Sequence, residues 1–460
     1  MLYASDLITQ YIPWYYITST YLKSFHLPHW VPGIYGEGYP LLAVGEIGAL
    51  SPINSLILFF SPFPASVHLL YLTYFIIATS GTYLFLRHNT LNKYSSLLGA
   101  GIFILSGFMI SRYFQSSIIF SSALFPWGMQ IVQKATENHK RIFWLAPLVY
   151  LQITAGHFQI AIVSICGYLA FLFVLVLLKK DKYKKYSILP IATAVVFLGI
   201  GLSAIQLLPT FKLFELSERK DWDPMVRFSY SLPQSHLITY VNPAAFGVSK
   251  PGDDYGFTQF GGGFWEINLT IYTAPFLLSL IPLITFVKRK KNINIASLYI
   301  LWATFLLISF GGFFKPYWVV AHINSFPFRA PARFLLISTF AASALAAYGF
   351  QQITQKQAKY LKYCLFVIIA ISIVVQQRLL LKNYFIFKNS ASIMSDLKDV
   401  NNYRLTTPLP LENNQGPKQT QYFYEKLFKR EFEKGAVISL ISLFILCYWW
   451  QTAKKKIIKN

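Results

Sequence analysis

Acidic residues are scarce in this chain. Its 460 residues include 18 Asp and Glu against 41 Lys and Arg, and charged residues of both signs make up only 13%. A soluble domain carries roughly 25%, so an ordinary water-soluble globule is excluded. Cysteine is nearly missing. Cys166, Cys364 and Cys447 all fall in apolar runs, which excludes a disulfide framework and leaves each as a small apolar residue. Carboxylates are absent from the centres of the apolar runs, and no internal repeat is visible. Both absences weigh against an ion-coupled pump or transporter, which carries ionisable groups or paired broken helices within the bilayer. Ahead of Asp6 there is no basic stretch followed by an apolar core, so no signal peptide is read there. One leading helix is expected before residue 1.

What the chain has in abundance is apolar sequence: 55% hydrophobic and 18% aromatic residues. Runs of roughly 20 apolar residues follow one another, the pattern of a polytopic membrane protein. The expected spans are about 65–86, 95–110, 116–132, 143–154, 158–178, 188–208, 267–287, 295–310, 334–350 and 363–375, with a last helix at about 436–450. That makes about eleven helices in all. The net charge of +23 would suggest nucleic acid in a soluble protein. Here Lys and Arg gather in every second short loop, as in Lys179, Lys180, Lys182, Lys184 and Lys185, or Lys288 to Lys291. That is how topology is set, and nucleic acid is rejected as a partner. By the positive-inside rule these loops face the cytoplasm, and Asp6 faces out. Of the acids, only Glu137 and Asp181 then fall on the inner side, so acid-base chemistry belongs at the outer surface.

The organisation expected from this is a first outer loop at 1–64, a transmembrane core at 65–375 with an outer loop at 209–263, a short outer segment at 376–434, and a final helix with a basic tail at 435–460. The segment 311–333 is expected to re-enter the membrane in part. Within the first loop, Pro13 suits the first turn of a helix. Trp14, Ile17, Tyr21 and Phe25 then share a face, with Thr18 and Ser19 away from it. This reads as an amphipathic helix lying in the membrane interface.

The first loop carries three carboxylates, Asp6, Glu37 and Glu46, among aromatic and apolar neighbours. Asp6, close to Tyr11 and Trp14, would be partly desolvated and suited to take a proton from an acceptor hydroxyl; otherwise it flanks or caps a helix. Glu37, in Gly36-Glu37-Gly38, and Glu46, near Gly45 and Gly48, each read as a second acid, as a ligand for a sugar hydroxyl or, more commonly for such residues, as a solvated loop acid. His26 and His29 are too few for a metal site. Asp221-Trp222-Asp223 and Asp253-Asp254 could hold a divalent metal ion against a phosphate, although such pairs are common in solvated loops. No other cofactor is implied. His157 marks an outer helix junction, where a polar residue is at home. Arg329 and Arg333 bracket the outer start of a helix, at its positive dipole end, and suit a phosphate at headgroup depth or simple interfacial anchoring.

With these stretches collected, the chain resembles the bacterial YfhO-like membrane protein family, which looks related to the GT-C glycosyltransferases. The stretches are Asp6-Leu7-x-x-Gln10-Tyr11-x-Pro13-Trp14; Leu27-Pro28-x-Trp30-x-Pro32; Ala155-Gly156-His157-x-Gln159; Leu232-Pro233-x-x-His236-Leu237 through Asn242-Pro243; Phe264-Trp265-Glu266; and Phe328-Arg329-x-Pro331-x-Arg333-Phe334. They run in family order from residue 1 to about 350. Phe158 stands where the family has Pro. The resemblance implies a GT-C-like bundle that moves a sugar from a polyprenyl-phosphate donor to a cell-envelope glycan, teichoic acid or lipid acceptor at the outer face of the cell membrane. It maps the family's first-loop Asp onto Asp6. With Asp6 as base or as the group that orients the acceptor, Arg329 and Arg333 are expected to hold the lipid phosphate, and Glu37, His157 and Glu266 to line the site. The competing expectation is a non-enzymatic protein that binds or flips lipids or assists envelope assembly.

Overall fold

The structure is a computed structural model that describes residues 6–29, 31, 39–179, 188–215, 217–221, 224–243, 245, 263–288, 292–321 and 328–355. All of these fall within one compact unit, Tyr3–Gln357. The expected helices at 363–375 and 436–450, the segment 376–434 and the basic tail lie outside the described residues, as does Glu37.

Among the described residues every regular element is helical, and the only bridge is the isolated antiparallel pair Val31 and Tyr39. Four helices are long and apolar enough to cross a membrane: Ala65–His88, Lys93–Ser111, Phe158–Leu178 and Pro331–Thr354. This is the signature of a membrane protein. A fifth span is counted if Ile188–Leu202 and Ala204–Glu215, bent by 69° at their junction, are taken together. The described residues therefore hold fewer full spans than the nine expected over 65–350.

Three of the shortfalls have a local cause. The run 116–132 divides at Leu124 into Ser116–Ala123 and Phe125–Ala135, with Pro126 at the start of the second piece. Proline lacks the N–H that would continue the first helix. All eight residues of Ser116–Ala123 are buried, as expected for a helix enclosed by protein rather than lipid. The run 143–154 becomes a 3-10 turn, His139–Trp144, followed by the ten-residue helix Leu145–Thr154. The sixth run does not stop at Leu208. It bends at Ser203 and continues to Glu215, with Pro209 inside the second piece. The segment from Gly311 onward contains the short turn Gly311–Phe313 and the helix Lys315–Ala321.

The helix Leu335–Gln355 forms the centre of the packing. Its Ala341, Ala342, Ala344, Ala346 and Ala347 are fully buried, and such small side chains let neighbouring backbones approach closely. Phe340 on the same helix lies 5.2–5.4 Å, ring to ring, from Phe85, Phe103 and Phe125.

The first loop packs on this core. A π-helical turn, Leu7–Tyr11, leads into the helix Ile12–Lys23. The buried face of that helix is not the expected one. Thr18 and Ser19 are buried, together with Trp14 and Tyr15, while Tyr16 is exposed. Polar bonding accounts for Tyr15 and Ser19, while the buried Thr18 hydroxyl has no partner among the described residues. Tyr15 OH meets Ser116 Oγ at 2.6 Å, Tyr11 OH meets Ser117 Oγ at 2.8 Å, and Ser19 Oγ donates to the Leu58 carbonyl at 2.7 Å. The helix is held by protein partners, and an apolar stripe alone does not define its inner side.

Candidate functional site

Following the chain direction through these helices separates two ends. At one end, Asn89 and Asn92 follow the first span, Gln133 and Thr136 end Phe125–Ala135, and Asn292 and Asn294 open Ile293–Ser309. They are joined through Asn294 to Asn89 (2.6 Å), Gln133 to Asn294 (3.1 Å), and Gln351 to the Asn92 N–H (2.6 Å). Arg87, Lys93, Lys134, Lys140, Arg141 and Lys179 lie at or beside this end. At the other end are Arg112, His157, Glu266, Arg329 and Arg333, with the first loop.

Glu266, on the short helix Phe264–Ile267, is 1% exposed and is clamped by two guanidiniums. Arg112 Nη2 lies 3.0 Å from Glu266 Oε2 and also donates to the Glu266 backbone carbonyl at 2.6 Å. The Arg112 guanidinium stacks on Phe108 at 4.0 Å. Arg333 donates through Nη2 to Oε1 at 2.7 Å and through Nε to both carboxylate oxygens at 3.2 and 3.3 Å. Its Nη1 donates to Gln159 Oε1 at 2.8 Å, and the Gln159 amide donates in turn to the Arg329 and Ala330 carbonyls. Burial alone would raise the Glu266 carboxyl, but Arg333 and Arg112 outweigh it and hold the group down at about 2. The triad carries a net charge of +1.

That remaining charge faces a second group. Gly156, with φ +109°, allows the turn before Phe158–Leu178 to press against the Gly45–Glu46 backbone. A Cβ at 156 would stand 2.7 Å from both the Glu46 and the Gly45 carbonyl oxygens. His157 caps the following helix by accepting the Ile160 N–H on Nδ1 at 3.3 Å. Burial first, then Arg333, pushes its imidazole well below the usual histidine range. The ring is therefore neutral at physiological pH, with Nε2 left as a donor. Glu46 receives the Gln10 amide on Oε2 at 2.5 Å. Burial pushes its carboxyl up, against the pull of Arg219, the Gln10 bond and Arg333, and Asp6 pushes it further up. Both His157 and Glu46 are enclosed deeply enough to be desolvated, yet both keep accessible surface.

Asp6 is half-buried and opens the π-helical turn without making a side-chain cap bond. The structure thus brings Asp6, Glu46, His157, Glu266 and Arg333 into one electrostatic neighbourhood. Arg329 stands apart from the triad, with its guanidinium 5.5 Å from the Tyr230 ring. Glu37, Trp222, Asp223, Asp253 and Asp254 lie outside the described residues, and among the described residues no group of three or more His, Cys, Asp or Glu could hold a metal ion. Four participants had been given no role from sequence. Arg112 ends an apolar run, Gln10 and Gln159 are neutral amides within the family-like stretches, and Arg219 lies in a polar loop. The signal for Arg112 was its position, a cation in the short break between two apolar runs.

The arrangement pairs a buried ion cluster, in which the Arg112 Nε lacks a hydrogen-bond partner among the described residues, with two part-exposed carboxylates and a neutral imidazole donor. No family model, curated protein or solved structure matches this chain.

Proposed function

We propose that the chain is a membrane glycosyltransferase of GT-C-like architecture that moves a sugar from a polyprenyl-phosphate donor to an envelope acceptor on the outer face of the cell membrane. The observation that carries this reading is the gathering of Asp6, Glu46, His157 and Arg333 into one electrostatic neighbourhood at the end of the helices opposite the basic loops. Basic loops face the cytoplasm, so this end faces outward. Nucleotide sugars are cytoplasmic, and an outer site needs a donor delivered in lipid. Asp6 acts on the acceptor hydroxyl, as base or by orienting it. His157 Nε2 is a donor suited to phosphate oxygens, with the Arg219 and Arg329 guanidiniums at the same end. Arg333 and Glu266 act differently from the sequence expectation: their hydrogen bonds are spent on each other, on Arg112 and on Gln159, so they position the site and set its charge.

A buried ion cluster would serve a protein that only binds or flips the lipid equally well, and one variant separates the readings. Asp6→Asn in the purified full chain, given a polyprenyl-phosphate hexose, abolishes transfer and leaves the melting temperature unchanged. Transfer at the wild-type rate by this variant would remove Asp6 from the mechanism, and silence of both proteins on every donor would favour lipid binding alone.

A further inference from the structure

Glu46 is a loop acid on an unusually firm base. Its turn is closed by the Gly48 N–H donating to the Gly45 carbonyl at 2.8 Å. Asn54 donates to the Ile47 carbonyl at 2.9 Å and is itself held by Tyr74 at 2.8 Å. The Gly156 turn closes the remaining side. A solvated loop acid needs no such support; a group that must hold one position does.

Its two oxygens are treated differently. Oε2 takes the Gln10 amide. Among the described residues Oε1 takes no hydrogen bond, and the residue keeps accessible surface. A carboxylate has about four acceptor positions, so most of this one is open to a ligand. Asp6 and Gln10 are four residues apart on one helical turn and share a face. Gln10 therefore holds Glu46 on the side where Asp6 stands, and the two carboxylates are close enough to act on each other. The other groups facing Glu46 are the Tyr11 and Tyr15 hydroxyls, Arg219 and Arg333, with His157 across the Gly156 turn.

We infer that Glu46 is the second working carboxylate of this site, taking the proton of the acceptor hydroxyl through Oε1 while Asp6 holds that hydroxyl in line. The inference rests on the transferase reading and deepens it. In the step, the acceptor O–H bond breaks and its proton passes to Glu46. The acceptor oxygen forms a bond to the anomeric carbon. The bond from that carbon to the phosphate oxygen breaks, and its electron pair leaves with polyprenyl phosphate. No oxidant, reductant or further reactant is needed. Burial of the Glu46 carboxyl makes it a stronger base than an exposed one, and Arg219 and Arg333 balance the charge of the pair.

The test uses the purified full chain in lipid nanodiscs, a polyprenyl-phosphate hexose as donor, and washed envelopes from cells deleted for the chain as acceptor. Glu46→Gln lowers kcat by roughly 100-fold or more, as loss of a general base does, and leaves KM for the donor unchanged. The acid limb of the wild-type rate profile, which lies above the ordinary carboxylate range, disappears in this variant, and Glu46→Asp restores part of the rate together with an acid limb. Glu46→Gln that matches wild type in rate and profile, while Asp6→Asn is dead, overturns this inference and leaves the transferase reading standing. A wild-type chain that transfers no sugar overturns both. If Glu46→Gln and Glu46→Asp both fail to stay folded, Glu46 is a structural residue and the inference falls.

Discussion

The two ends of the helical unit solve the same problem with different chemistry. Both join helix termini that enter and leave an apolar core, where backbone and side-chain polar groups need partners. The basic end does so with neutral amides: Asn89, Gln133 and Asn294 bond to each other, and Gln351 holds the Asn92 N–H. Among the described residues there, the ion pair of His88 with Glu137 is partly exposed, its side chains 20% and 60% exposed. The other end buries an Arg–Glu–Arg triad and keeps a second carboxylate half-buried beside it. Amides would close that end with less desolvation cost, because removing ions from water costs several kcal/mol each. An expensive charged solution, adopted at one end only, marks that end as the place where charge is used. Within it the contrast recurs between Glu266, whose oxygens are filled, and Glu46, which has one oxygen open.

The largest expected effect breaks the comparison at the triad. Glu266→Gln leaves two buried guanidiniums facing a neutral amide. Loss of one partner from a buried ion cluster costs about 3–5 kcal/mol, read as a lower midpoint in thermal unfolding of the detergent-solubilised protein. Acid titration sharpens the result. The folded carboxyl is held at about 2 against 4.5 in the unfolded chain. Its stabilisation is therefore present above 4.5 and is lost as pH falls from 4.5 toward 2. Wild type loses stability across that window, and the variant, already without the interaction, loses less. Equal melting of the two proteins at neutral pH would mean that the triad contributes nothing to the fold.

A smaller effect of opposite sign is expected at Glu46. Burial raises its folded carboxyl above 4.5. The folded state then holds the proton more tightly, so its contribution is fully present below 4.5 and is lost as pH rises through the folded value. At neutral pH the wild type carries a partly desolvated charge that Glu46→Gln lacks. The variant should melt higher than wild type near neutral pH, and the gap should close as pH falls toward 4.5. A gain in stability with a loss of rate is the usual mark of a residue kept for function. A variant that melts lower than wild type at neutral pH would place Glu46 with Glu266, as a group the fold depends on.

How much of this was legible beforehand differs by residue. The spans 65–86 and 158–178 were readable because a long apolar run with basic residues beyond its end has one reading, and the helices Ala65–His88 and Phe158–Leu178 match them closely. The run 116–132 was misread as one span because hydropathy does not distinguish lipid from protein as the apolar surroundings; Ser116–Ala123 is wrapped by protein. The helix Ile12–Lys23 was misread because a helical wheel scores Thr18 and Ser19 as outward, while Tyr15 and Ser19 reach polar partners about a hundred and about forty residues away. His157, Glu266 and Arg333 were named from family-like stretches and lie together. Arg112 and Gln10 were missed because their importance arises from pairings 154 and 36 residues apart, and no local pattern encodes a long-range partner.

The smallest expected effect tests whether burial is what separates the two ends. His88 Nε2 and Glu137 Oε1 lie 3.2 Å apart, with side chains 20% and 60% exposed. The geometry resembles the Arg112–Glu266 contact at 3.0 Å, so distance alone would assign the two pairs similar worth. Solvent changes that. An exposed pair attracts in high dielectric, is screened by salt, and restrains two side chains that would otherwise move, for a net of about 0–1 kcal/mol. Glu137→Ala should therefore move the unfolding midpoint by no more than about 0.5 kcal/mol in equivalent stability, with sugar transfer at the wild-type rate. A loss as large as that of Glu266→Gln would show that an exposed contact at the basic end carries as much as a buried one, and the distinction between a structural end and a working end would have to rest on something other than where the charges are hidden.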